Sequence, residues 1–574
     1  RREVMTNKLS YKLISKNNHF DPINTVLKNR GIKDIDGFLK AGERVDSELD
    51  YKLLKNIEKA VELIKKHVEN NSTIFIQVDT DTDGFLSSMS IGDYLKRINN
   101  QLKIVYNQHD SESIKKHGIV AEDVEEQIDL VIVPDAGSND FEDHKKLSDR
   151  GIDVLVIDHH EIIDESEHAV VVNINLNDYP NKELSGTGVV YKVLQALDNE
   201  YNVEYSKHYL DLVAISLVSD IMRLDTYENR YYLTQGLKQI NNPLIKTIVE
   251  SSRYTDINKI VPTDVSFSIA PLINSVIRVG TTEEKEKVFN ALFTSNEEEL
   301  IETVDLMNKA KERQEEKVNE VMPQVTKYIE ELFNNHENPV VCAIVLDGSN
   351  DIASLTGLIA NKVLSIVKRP VLILRQSDKG YLSGSARGFD KSPIKDFKQE
   401  VLNTGLFDLA QGHDNAFGVR VSSTNKLEQA LEKIQEKYKD YDIDVNVYDV
   451  DFILNGHEIK YALVHQIDKY NHLWGHGVEK PMFALENVEV ERRQISVLGE
   501  NKNVIKFSYR DIDYIKFRVD SKEIRHLMSG KSTDLLTMNV IGSVSINNFA
   551  GKTTAQVIIE DQEVIDVGEP KFLF

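Results

Sequence analysis

Apolar positions along the chain follow two rhythms, and the switching between them predicts the architecture. Short β-branched runs at 73–78, 103–106, 129–133, 153–157 and 169–172 alternate with stretches of helical spacing, including 85–98 and 141–150. Such alternation predicts a doubly wound parallel sheet flanked by helices. Ahead of it, Leu53, Leu54, Ile57, Ala60, Val61 and Ile64 recur at helical spacing, which makes residues 1–70 a helical packing segment. Helical spacing dominates from 185 to about 335. The long, charged stretch 300–333 reads as a spacer helix kinked or broken at Pro323. A second α/β pattern begins at 340–346 and continues through 352–367 and 370–374. Beyond about 482, runs at 488–490, 504–507, 514–517 and 557–559 predict a small antiparallel barrel. The expected fold class is therefore α/β, divided at 1–70, 71–298, 299–336, 337–452 and 453–574.

Candidate chemistry sits where the first set of strands ends. The run Val154-Leu155-Val156-Ile157 leads into Asp158-His159-His160, and ligands of open parallel sheets bind beyond the carboxyl ends of strands. The first strand ends in Asp79-Thr80-Asp81-Thr82-Asp83-Gly84. An EF-hand loop would need Glu at its twelfth position, where Ser90 stands, and a helix rather than a strand before it. The acids belong instead to a strand-to-helix turn, where so much like charge calls for a cation. The third strand ends in Pro134-Asp135-Ala136-Gly137, and an apolar helix ends at Asp220, where a carboxylate opposes the helix dipole. Asp81, Asp83, Asp135, His159 and Asp220 thus converge as oxygen-rich ligands with one imidazole. That set suits Mn²⁺, with Mg²⁺ as second choice. It suffices for two metals bridged by Asp135, an arrangement for phosphoester hydrolysis.

Composition narrows the rest. The net charge of −24, from 93 acids and 69 bases, excludes a bulk-basic nucleic-acid binder and leaves room for a locally basic groove. No run approaches the length of a membrane span. Arg1-Arg2-Glu3-Val4-Met5 lacks the apolar core of a signal peptide. The only cysteine, Cys342, lies in an apolar strand, so a reducing, cytoplasmic setting is expected.

The motifs Asp79–Gly84, Pro134–Gly137, Asp158–His160 and Val218-Ser219-Asp220 resemble, in order and spacing, those of the DHH phosphoesterase superfamily. Within it the chain is similar to the RecJ single-strand-specific exonucleases. Leu184-Ser185-Gly186-Thr187-Gly188-Val189 and Glu228-Asn229-Arg230 carry that likeness as well. Ser383–Gly388 and Gln411–Gly418 resemble the DHH-associated domain, whose glycine-histidine motif binds phosphate. By that resemblance Ser385, Arg387, Gly412 and His413 would hold the substrate backbone. The tail resembles the RecJ oligonucleotide-binding (OB) barrel, with Trp474 in its entry motif and Asn548–Lys552 leading into its last strand. There Lys502, Lys506, Arg510, Lys516 and Arg518 interleave with Phe507, Tyr509, Tyr514 and Phe517, a mixture that suits backbone tracking and base stacking, although at strand spacing about half of these aromatics belong to the core.

The resemblance implies a metal-dependent 5′→3′ exonuclease that degrades single-stranded DNA to mononucleotides. The catalytic lobes would form a groove that the barrel extends. His160 would contact the scissile phosphate or protonate the leaving oxygen, Asp158 would orient the histidines, and Asp79 would complete the catalytic group. A monomer working with a single-strand-binding protein or a helicase is expected. The rival readings are a DHH phosphodiesterase acting on nanoRNA or cyclic dinucleotides, and a non-catalytic DHH scaffold in a replication complex.

Overall fold

The computed structural model describes residues 9–109, 117–253, 255–336, 338–346, 350–377, 380–441, 447–499, 502–549 and 552–569. Ala550 and Gly551, within the predicted lead-in to the last strand, lie outside the described residues. The chain divides into two compact units, residues 1–307 with 449–574, and residues 308–448.

The first unit is built on five parallel strands, β1 (Thr73–Val78), β2 (Lys103–Gln108), β3 (Leu130–Pro134), β4 (Asp153–Asp158) and β5 (Val170–Asn173). Their order is β2-β1-β3-β4-β5. Ile74, Ile76 and the whole of 130–133 and 155–157 are fully buried, as a sheet covered on both faces requires. In this order the chain reverses direction across the sheet between β1 and β3, which opens a crevice at their carboxyl ends. Helices α1 (Thr82–Ile98), α2 (Gly186–Tyr201), α3 (Leu210–Ser219) and α4 (Tyr227–Lys238) pack around it.

The same unit holds the C-terminal sheet. Arg230 on α4 is only 2% exposed and donates to the carbonyls of His472 (3.0 Å) and Leu473 (3.1 Å). The Leu224 amide bonds the His476 carbonyl at 2.8 Å. From the N-terminal segment, Ile23, Val26, Leu27 and Phe38 join the core of the C-terminal sheet. Arg30 pairs with the buried Asp451 at 2.8 Å.

The second unit carries β6 (Cys342–Leu346), β7 (Val371–Gln376), β8 (Leu382–Arg387), β9 (Leu409–His413) and β10 (Ala416–Val421), in the order β9-β10-β8-β7-β6. Of these neighbours only β6 and β7 run parallel.

The stretch expected to be kinked or broken at Pro323 is not broken there: it is one helix, Glu297–Asn335, with the proline inside it. Buried Val318 and Val325 anchor it on both sides, so the loss of one backbone donor does not end it. The C-terminal sheet comprises β11 (Phe452–Asn455), β12 (Phe483–Glu491), β13 (Ser496–Leu498), β14 (Val504–Tyr509), β15 (Ile512–Lys516), β16 (Leu535–Phe549) and β17 (Lys552–Gly568). Their order is β11-β12-β16-β17-β15-β14-β13, in which most neighbours run antiparallel, as expected, while β11 with β12 and β15 with β17 run parallel. Register shifts at Leu485/Val488, Thr537/Met538 and Ile541/Gly542 bend its long strands. Among the described residues no helix is long and apolar enough to cross a membrane.

Candidate metal centre

The crevice is assembled from strand ends and helix ends. Asp79 follows β1, Asp81 caps α1 by accepting from the Gly84 amide at 2.9 Å, and Asp83 lies in the first turn of α1. Asp135 follows β3 with a left-handed φ of 65°, a conformation aspartate tolerates. Asp158 closes β4, and Asp220 caps the C-terminus of α3. Ligand atoms of Asp79, Asp81 and Asp135 lie within 4.8 Å of one another. Those of Asp83, His159 and Asp220 do too, and so do those of Asp135, His159 and His160. Asp135 therefore belongs to two of the three groups. His159 Nε2 stands 3.2 Å from Asp135 Oδ1 and 3.4 Å from Asp220 Oδ2.

Close approach depends on two glycines. A Cβ at Gly84 would meet Asp79 Cβ at 2.6 Å, and one at Gly186 would meet Asp135 Oδ1 at 2.2 Å. Asp83 is the best satisfied of the acids. Its Oδ1 accepts from the Thr187 amide (2.8 Å) and from the hydroxyls of Thr187 and Ser216, and its Oδ2 accepts from the Gly186 amide (2.7 Å). It draws on the positive N-terminus of α2.

The opposite holds for its neighbours. Asp79 Oδ1, Asp135 Oδ1 and Asp220 Oδ2 are buried and accept no hydrogen bond from the described residues. Burial, reinforced by the neighbouring carboxylates, raises the Asp81 carboxyl to about 6 and lifts Asp135 and Asp220 well above the usual range. Buried acceptors without donors, crowded by like charge, are what a divalent cation satisfies. The oxygen and imidazole donors fit Mn²⁺ and, with harder preference, Mg²⁺.

Around this set lies a positioning layer. Asp158 Oδ1 accepts from the His159 amide (2.7 Å), the His160 amide (3.1 Å) and His160 Nδ1 (2.8 Å), while Oδ2 accepts from the Ser138 amide (3.1 Å). Burial opposes charge on both partners, yet their pairing prevails: His160 rises to about 10 and Asp158 falls far below the usual carboxylate range. Asn175 donates to the carbonyls of His159 (2.8 Å) and His160 (3.2 Å), and Asn173 to that of His160 (3.0 Å).

Several residues at the crevice carry no sequence signal. His117 Nδ1 pairs with Asp79 Oδ2 at 2.8 Å, and that carboxylate lifts it to about 9. Asn274 accepts from the Thr82 hydroxyl at 3.1 Å, and Arg278, one helical turn further on, feels the charge of Asp81. Asn175 and Ser216 also stand outside the motifs.

In the second unit the expected phosphate residues share a sheet face. Arg387 pairs across β10 through Ala416 to His413, and Ser385 through Gly418 to Gln411. Ala416 and Gly418 leave a low floor between the two rows. Ser385 bonds Thr356 (2.8 Å), and Arg387 Nε donates to Asn361 (3.0 Å). Gly412, at φ +130°, points to the other face, where a Cβ would press on the Ala416 carbonyl at 2.8 Å.

The C-terminal sheet corrects the expectations for Trp474, Lys506 and Lys516. Trp474 is a core residue, 2% exposed, because its ring fills the cluster shared with the N-terminal helices. Phe507 and Tyr514 stack on each other in the same core, ring centres 5.1 Å apart. Lys516 pairs with Glu523 (2.6 Å) and Lys506 with Asp513 (2.8 Å). Arg510, Phe517 and Arg518 remain exposed, both arginines on turns with positive φ.

A carboxylate–histidine centre at the switch point of a parallel sheet defines a metal-dependent phosphoesterase class, and the profile of the DHH family, N-terminal domain, matches residues 73–217. The profile of the RecJ OB domain matches residues 450–561. A protein named as the single-strand DNA-specific exonuclease YorK, from the SPbeta prophage of Bacillus subtilis, is 37% identical over 99% of this chain and 100% of its own. The single-stranded-DNA-specific exonuclease RecJ of the same organism is 25% identical over 89% of this chain and 64% of its own. The crystal structure of RecJ in complex with Mn²⁺ from Thermus thermophilus superimposes with a TM-score of 0.71 at 20% identity, covering 98% of this chain and 79% of that one. The chain belongs to the RecJ family of exonucleases.

Proposed function

We propose that this chain hydrolyses single-stranded DNA from the 5′ end, releasing mononucleotides, with residues 71–298 as the catalytic domain. The observation that carries the reading is the set of buried, donor-less oxygens of Asp79, Asp135 and Asp220 around His159. Asp79, Asp81, Asp83, Asp135, His159 and Asp220 would hold Mn²⁺ or Mg²⁺. When bound, the cations offset the clustered charge and supply a water of lowered pKa.

The protein's own groups do the rest. Asp158 fixes the ring of His160 and keeps it protonated, so His160 donates a hydrogen bond to the scissile phosphate and a proton to the leaving 3′ oxygen. Arg387 offers a planar fork to a backbone phosphate, joined by Ser385 and His413 over the Gly418 floor. Arg510 and Arg518 track the backbone further along the strand. A single-strand-binding protein or a helicase that feeds it strands is the expected partner.

The test is digestion of a single strand labelled at either end, in Mn²⁺, with His159→Ala as control. Immediate release of the 5′ label as mononucleotide, with the 3′ label retained on shortening strands, is the expected result. Release from the 3′ end would overturn the polarity, and turnover of dinucleotides without digestion of long strands would overturn the substrate.

A further inference from the structure

Helix α3 ends in a complete Schellman motif. The Ile221 amide bonds the Val218 carbonyl (3.3 Å), and the Met222 amide bonds the Leu217 carbonyl (2.9 Å). The motif requires its first residue beyond the cap to adopt the left-handed conformation, and glycine is the residue that does so without steric cost. Here that residue is Ile221, at φ +58°. A β-branched side chain is the least suited of all to this region.

Other helices of the same chain solve the same problem conventionally. Residues closing helices with positive φ include Asn71, Asn202 and Lys368, and Ile221 is the β-branched residue among the described non-glycine positions with positive φ. Packing does not explain the choice either, because Ile221 is 65% exposed. It therefore bears conformational strain without a core contact in return. It directly follows Asp220, whose Oδ2 lies 3.4 Å from His159 Nε2. Strain held at an exposed residue beside a reactive cluster points to use of its side chain by a ligand.

We infer that Ile221 is a substrate-binding residue whose side chain packs on the sugar and base of the nucleotide seated at the crevice. This rests on the nuclease reading above. An apolar side chain suits the deoxyribose and the base face, whereas the phosphate is served by the charged groups already described. Its contact is made equally in the bound and reacting states, so it sets KM rather than kcat.

The experiment pairs thermal denaturation with two readouts on Ile221→Gly and Ile221→Asn. One is anisotropy of a labelled oligothymidylate in EDTA, where no turnover occurs, and the other is steady-state digestion in Mn²⁺. Both residues accept the left-handed conformation, so Tm is expected to hold or rise. Affinity and KM are expected to weaken about tenfold, with kcat within about twofold of the parent. Ile221→Val is expected to recover most of the affinity at the parent Tm. Unchanged affinity and KM in the glycine variant, with the parent digesting strands normally, would overturn the inference and leave the nuclease reading standing. A lowered Tm would also overturn it, because the side chain would then be a packing element. A parent that neither binds nor digests single strands would overturn the nuclease reading itself.

Discussion

In the crevice, Asp79, Asp135 and Asp220 keep buried oxygens that no described donor reaches, whereas along the C-terminal sheet Lys506 and Lys516 have already found Asp513 and Glu523. One region concentrates carboxylates beyond what its histidine partners offset and leaves several of their oxygens without a donor among the described residues. The other, which the chain writes as a row of cations, neutralises two of its five within the fold. Charge that a fold leaves unpaired at the cost of burial marks a site for an external ion. Charge that is paired locally is surface structure, and contributes little to binding.

The sharpest way to break the comparison is to remove Asp135, which belongs to two of the three candidate ligand groups. On the proposed reading, Asp135→Asn is expected to lower exonuclease activity by about 10³-fold or more, because metal-supplied charge stabilisation of several kcal/mol would go with it. End-labelled digestion measures it. Gly186→Ala is expected to do nearly as much by filling the space of the Asp135 carboxylate, and Asp158→Asn should cost about 10–100-fold by releasing the histidine pair. Calorimetry with Mn²⁺ should show affinity falling in parallel for the glycine variant.

The pH dependence follows from the same crowding. With no cation bound, burial and like charge hold the proton on Asp81 up to about 6 and raise Asp135 and Asp220 well above the usual carboxylate range. Metal must displace those protons, so Mn²⁺ affinity should weaken as pH falls toward and below about 6, and binding near pH 6 should release protons. Titrations in buffers of different ionisation enthalpy measure the count. Affinity that stays flat from pH 8 to pH 5.5 would contradict the crowded-carboxylate account.

The smallest effects belong to the C-terminal sheet. Arg510→Ala and Arg518→Ala should each weaken strand binding a few fold and reduce the slope of log affinity against log salt by about one. Lys516→Ala should change neither beyond error, since its ammonium is spent on Glu523. A loss for Lys516 equal to that for the arginines would erase the distinction between paired and free cations.

The same distinction explains what was legible in the sequence. The strand-end acids could be read because a parallel strand buried on both faces is a continuous apolar run, and whatever polar residue terminates it must sit in the crevice. Asp79, Asp135 and Asp158 follow from that rule alone. The alternating basic and aromatic strands could not be resolved the same way. A period of two says that one face is buried without saying which, and Phe507 and Tyr514 went inward. Resemblance to an entry motif places Trp474 at the substrate but carries no burial signal, and its neighbours Leu473 and Val478 carry it into the core. His117, Asn175 and Ser216 reach the crevice from loops and helix faces with no periodicity to announce them. Pro323 does not break its helix because Val318 and Val325, buried on either side, hold the two segments in one run.

Arg230, lodged between α4 and the carbonyls of His472 and Leu473, bears on how the protein can be dissected. Cutting the chain ahead of the C-terminal sheet would strip a fully sequestered guanidinium of both acceptors and open the core that Ile23, Val26, Leu27 and Phe38 share with that sheet. A truncated enzyme that had lost its grip on long strands would then report damage to the catalytic half as readily as loss of a binding surface. The two halves behave as a single foldable module, so their separate contributions are accessible to point substitution and closed to deletion.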